Sequence, residues 1–161
     1  MHGLVVSLFV FWVAAAHAAE PAANDLAIEV LGEELSITHF PADGNRLVIW
    51  VAPGYGSHER AWAVAQAFAD GGIEVWHVDL ADSLFLPKST TTMRSLDGRH
   101  VAALIEAVQA RTGKAITLFS RSYGSLPVLR GARLWQLAQR VNAGEDPYLT
   151  GAILFSPELY S

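Results

Sequence analysis

Apolar and polar residues alternate at Leu26, Ile28 and Val30, break at Gly32-Glu33-Glu34, and resume from Leu35 to Phe40. A period of two on either side of a short polar turn predicts a β-hairpin. The pattern then changes. Leu47 to Ala52 is a continuous apolar run, as expected of a strand buried on both faces. Pro53-Gly54-Tyr55-Gly56-Ser57 ends it, and Glu59 to Asp70 reads as a helix with Trp62, Ala65 and Phe68 near one face, stopped by Gly71-Gly72. Ile73 to Leu80 is the next strand, followed by a loop from Ala81 to about Thr92. From Leu96 to Thr112 the apolar residues Val101, Leu104, Ile105 and Val108 fall at i, i+3, i+4 and i+7, an amphipathic helix capped by Gly113. Ala115 to Ser120 is a third buried strand, Gly124 to Asn142 a helix with Pro127 in its first turn, and Gly151 to Ser156 a fourth such strand.

Strands that alternate with helices across short loops predict a parallel sheet with right-handed crossovers. The expected fold class is α/β: a three-layer α/β/α sandwich, its sheet mostly parallel, with the N-terminal hairpin antiparallel at one edge. Reactive groups in such sheets gather at the carboxyl ends of the strands. Three stretches lie there: Pro53 to His58, Asp79 to Asp82, and Ser120 to Ser125.

Composition narrows the chemistry. With 52% hydrophobic residues in 161, the chain can bury a sizeable core. Sixteen acidic residues against eleven basic ones, a net charge of −5, argue against a nucleic-acid partner. The absence of cysteine excludes disulfides, thiolate metal sites and a cysteine nucleophile. Gly3 to Ala16 is an uncharged apolar run followed by Ala16-His17-Ala18, the pattern of a secretory signal cleaved after residue 18. The expectation is export, to the periplasm or the medium, with residues 19–161 as the domain. Uncleaved, residues 3–16 would instead anchor the chain to a membrane.

Ser120-Arg121-Ser122-Tyr123-Gly124 joins a buried strand directly to a helix. A serine on so sharp a turn needs small residues two before and two after it, here Ser120 and Gly124, to avoid neighbouring strands. The turn lifts Oγ clear of the sheet, and the helix N-terminus behind it favours developing negative charge. Ser122 is the candidate nucleophile; the simpler alternative is a helix cap bonded to backbone amides.

At these residues the chain resembles the α/β-hydrolase family, from about Leu26 onward. The resemblance implies a serine hydrolase that cleaves an ester or thioester, without cofactor or metal, acting on a small-molecule acyl substrate. It implies an oxyanion hole built from the backbone amides of Tyr55, in the loop after the third strand, and Tyr123. Pro53 stands where the family typically has histidine. Asp79 matches a structural position. The family's chain order is serine, then acid, then histidine. All six histidines, at 2, 17, 39, 58, 77 and 100, precede Ser122. The expectation is therefore a chain that stops after the sixth strand, with base and acid beyond Ser161. Substitutes within the chain are Glu158 as acid and His58 as base, although His58 also reads as a surface histidine at a helix start. A non-catalytic remnant or binding module of the same fold is the alternative.

Other signals carry less. Gly54-x-Gly56 suggests dinucleotide binding, but Glu59 stands at the third glycine position. His77-x-Asp79 puts two metal-ligand types on one strand face without an evident third. Arg130, Arg133 and Arg140 read as a solvated helix face, and Arg121 as a side chain able to meet an anionic acyl group.

Overall fold

The computed structural model describes residues 23–57, 59–141 and 148–159. The hairpin is β1 (Asn24–Val30) and β2 (Glu33–Phe40). β3 (Arg46–Val51), α1 (Glu59–Asp70) and β4 (Ile73–Val78) follow, then the short helices α2 (Leu80–Ser83) and α3 (Thr90–Ser95). α4 (Arg99–Thr112), β5 (Ala115–Ser122), α5 (Ser125–Val141) and β6 (Leu149–Pro157) complete the order. The six strands form one sheet in the order β1-β2-β4-β3-β5-β6. β1 and β2 pair antiparallel, β2 joins β4 antiparallel, and the remaining pairs are parallel. This is the mixed α/β sheet that the hydrophobic pattern implies.

The central strand explains why. Leu47, Ile49 and Val51 of β3 face one core with Trp76 and Val78 of β4, beneath α4 and α5. Val48 and Trp50 face the other core with Val75, beneath α1. Alternate residues thus serve opposite layers, and a run with no polar gap results. α4 buries Val101, Leu104, Ile105 and Val108 as expected. On α1 the buried stripe is Ala61, Ala65 and Ala69, flanked by half-buried Trp62 and Phe68.

The structure differs from these expectations at several points. The segment 81–92 is not a plain loop. Asp79 Oδ1 accepts from the Asp82 amide at 3.1 Å and starts α2; Ser89 Oγ accepts from the Thr92 amide at 3.0 Å and starts α3. Helices of four and six residues are too short to show a period. Leu80 belongs to α2 rather than to β4, and α4 begins at Arg99 rather than Leu96. Gly151 to Ser156 lies within β6, one of the two edge strands among the described residues, and is exposed along most of its length, as a strand without an outer neighbour must be. Arg130 is not merely solvated: its Nη1 donates to the carbonyls of Arg94 (2.5 Å) and Leu96 (2.6 Å), tying α5 to the end of α3.

α4 and α5 touch at Gly131, where an added Cβ would sit 2.5 Å from Val101 Cβ and 2.8 Å from the Gly98 carbonyl oxygen. Gly131→Ala is expected to force the helices apart and lower stability by about 1–3 kcal/mol, the usual cost of overpacking. Chemical denaturation measures it; an unchanged midpoint would contradict the close packing. No helix among the described residues is long and apolar enough to cross a membrane, and residues 1–18 lie outside them.

Candidate active site

β3 and β5 are parallel neighbours, with Val51 opposite Ser120, so the loop after β3 and the turn after β5 emerge side by side at the carboxyl edge. The turn is held by two small residues. Ser120 is fully buried, and its hydroxyl donates to the Val51 carbonyl at 3.1 Å. A Cβ on Gly124 would lie 2.5 Å from Ser120 Oγ and 2.7 Å from the Ala52 carbonyl oxygen, so glycine is required by the close approach of β3. Between them Ser122 adopts φ +50°, the left-handed region that costs a non-glycine residue about 1 kcal/mol or more. Gly124 N–H donates to the Arg121 carbonyl and Leu126 N–H to the Tyr123 carbonyl, carrying the chain directly into α5.

The other expected residues are placed as follows. Tyr123 is half-buried against the core, with the Arg94 guanidinium 5.1 Å from its ring centre. Tyr55, 66% exposed, stands in a turn closed by Gly56 N–H to the Pro53 carbonyl at 2.9 Å. That turn is buttressed from outside: a Cβ on Gly54 would meet the Ser89 carbonyl oxygen at 2.6 Å. Glu158 is exposed, and its backbone N–H donates to the Ser122 carbonyl at 3.3 Å, continuing the β5–β6 ladder. Ser122 and Glu158 are therefore neighbours through the main chain. His58 lies outside the described residues. Arg121 projects on the α1 side, where with Arg60 it borders an apolar cavity of about 310 Å³ that includes Trp50, Phe119 and Phe155.

Asp79 does structural work. Besides capping α2 it holds Lys88 at 3.2 Å, and Lys88 reaches Asp82 at 3.0 Å. Hydrogen bonds to Asp82 and Asp79 push the Lys88 ammonium above its ordinary range. A second polar cluster lies at the opposite end of the sheet. Glu74, 6% exposed, accepts from Lys114 Nζ (2.5 Å), Trp76 Nε1 (2.6 Å) and His39 Nε2 (2.7 Å). Burial opposes its ionisation, but these donors and the Lys114 charge outweigh burial and hold the carboxyl below its usual value.

One pairing is absent from the sequence reading. His77 Nε2 lies 2.6 Å from Ser57 Oγ. Burial lowers the imidazole to about 4 despite the opposing charge of Asp79, so the ring is neutral at pH 7. No group of three or more His, Asp or Glu residues among those described is arranged to hold a metal.

No family model matches the chain, and no curated protein does. Solved structures do. A cold-adapted esterase from an Arctic intertidal metagenomic library superimposes with a TM-score of 0.57 at 16% identity, over 81% of this chain and 58% of that one. N-formylmaleamic acid deformylase from Pseudomonas putida S16 gives 0.54 at 16% identity, over 83% and 47%. Epoxide hydrolase A from Mycobacterium thermoresistibile gives 0.53 at 18% identity, over 71% and 36%. The chain thus has the α/β-hydrolase fold. It spans between about a third and three fifths of the length of these structures.

Proposed function

We propose that the chain is the core of a serine hydrolase that transfers the acyl group of a small ester or thioester to water, with Ser122 as nucleophile. The observation that supports this reading above the rest is the left-handed backbone of Ser122 between a buried small residue and a glycine that cannot carry a side chain. A serine that served only to cap α5 would have no need of that strain.

In the proposed step Ser122 Oγ attacks the acyl carbon and the backbone amides of Tyr55 and Tyr123 receive the developing oxyanion. Losing one such donor costs about 2.7–4 kcal/mol in known cases. Glu158, joined to Ser122 through the β5–β6 ladder, is the candidate acid within the chain, and His58 the candidate base. The fold's own relatives hydrolyse several bond types, so ester or thioester is chosen for its demand on an oxyanion hole alone. Export through residues 1–18 belongs to the same proposal, as does a small acyl substrate rather than a nucleic acid.

Mass spectrometry after fluorophosphonate treatment tests the nucleophile. Trypsin releases Ser122–Arg130 as a peptide of its own, because Arg121 precedes it. Expected is an adduct on that peptide, at a serine lost in Ser122→Ala. A folded chain that leaves the peptide unmodified overturns the reading in favour of the same fold used for binding without catalysis.

A further inference from the structure

In the loop beside the Ser122 turn the fold brings another serine against a histidine. Ser57 follows β3, His77 sits on β4, and the parallel pairing that sets Trp50 opposite His77 folds the loop back over the strand. We propose that Ser57 and His77 form a second nucleophile–base pair, independent of Ser122, that accepts the acyl group of a small polar ester.

The contact has the geometry of a nucleophile beside a base. With its proton on Nδ1, the His77 ring presents an Nε2 lone pair to the Ser57 hydroxyl at 2.6 Å, within the range for a base on its nucleophile. The ring cannot swing away: Trp62 meets it edge-on at 4.7 Å between centres and Trp50 at 5.8 Å. It is 4% exposed.

A buried imidazole satisfied by a serine is commonplace in protein cores. Here, however, both side chains border a cavity of about 250 Å³, and Ser57 also borders the wider one beside Arg121. The nucleophilic oxygen is reachable while its base is sheltered. At about 30 Å³ per water in the liquid, the cavity suits an acetyl or short hydroxyacyl ester rather than a long chain. Its wall mixes the Trp62 ring with polar groups: the hydroxyls of Ser36 and Thr38, the carboxylates of Asp79 and Asp82, and the Lys88 ammonium. Lys88 is the cation on that wall, and its charge is shared with Asp79 and Asp82.

The step balances without a cofactor. Ser57 Oγ bonds to the acyl carbon as its proton passes to His77 Nε2. The tetrahedral adduct collapses, the bond to the alcohol oxygen breaks, and that oxygen takes the proton from His77. Water then attacks the same carbon and gives its proton to His77. The Oγ–carbon bond breaks, the carboxylic acid leaves and Ser57 recovers its proton.

The test uses the full chain with p-nitrophenyl acetate and, separately, diisopropyl fluorophosphate. Ser57 is the sole serine of the tryptic peptide Leu47–Arg60, which separates it cleanly from Ser122. Expected is modification of that peptide in the wild type and equally in Ser122→Ala, lost in Ser57→Ala. In His77→Gln, with the fold checked by circular dichroism, labelling should slow by about 100-fold or more, as befits loss of a general base. The Ser122→Ala arm decides even if His77→Gln does not fold. An unmodified Leu47–Arg60 peptide in folded Ser122→Ala shows that Ser57 merely satisfies the histidine and overturns the proposal. Labelling of Ser122–Arg130 in the wild type is scored apart, so either serine can fail without the other.

Discussion

Truncating Glu74 to alanine is expected to lower the unfolding free energy by about 3 kcal/mol, the lower end of the range for removing one partner of a buried ion pair. The reasoning is about what remains. Lys114, whose side chain is 20% exposed, would keep its charge beside the Ala42 carbonyl but lose its counter-ion. His39 would lose the acceptor of its Nε2, and Trp76 the acceptor of its indole N–H. One deletion takes an acceptor from three donors, and a buried donor costs more unpaired than it contributed when paired. The cluster also ties β2, β4 and the start of β5 together, so the loss should appear as cooperative destabilisation. Urea denaturation at pH 7 reads it directly. A loss below about 1 kcal/mol would show that water replaces the carboxylate, and that the cluster behaves as an exposed pair.

Acidification from pH 7 to 4 should weaken the fold through His77 by about 3 kcal/mol, the equivalent of lowering an imidazole from 6.5 to about 4. The sign follows from which state binds the proton. The unfolded chain protonates His77 near 6.5, whereas the folded chain resists until about 4 because burial disfavours the cation. Stability is therefore fully present above 6.5, declines as pH falls between these values, and is not reduced further by this group below 4. His100, lowered by burial and by the charge of Arg99 against the pull of Asp97 and Glu33, acts in the same direction. Glu74 adds its own loss only at more acid pH, below its ordinary value of 4.5. Unfolding midpoints between pH 7 and 4.5, compared for wild type and His77→Gln, isolate the contribution. The variant should give the flatter profile; parallel profiles would mean that His77 is protonated equally easily in both states.

Much of this arrangement is legible along the chain because one residue's neighbours in sequence are also its neighbours in space. β3 shows itself as an unbroken apolar run because both of its faces are covered. α4 shows itself because its four buried residues repeat every turn. The turn at Ser122 is legible for the same reason: the small residues it needs stand two positions to either side. Where the determinant is remote, nothing local marks it. Ser57 and His77 are 20 residues apart and meet only because two strands pair, and no period or spacing encodes that meeting. Arg130 fails likewise, since the carbonyls it holds lie 34 and 36 residues away. α2 and α3 escape for a different cause. A helix of one turn leaves only its capping residue as a signature, and Asp79 and Ser89 serve equally well in loops.

The backbone at Ser122 sets two interests of the molecule against each other. Glycine would occupy that left-handed corner with greater ease than serine does, yet it brings no hydroxyl there. Random substitution under selection for robustness alone would drift this position toward the smaller residue. A hydroxyl in that left-handed corner is what the proposed nucleophile requires and what folding alone does not.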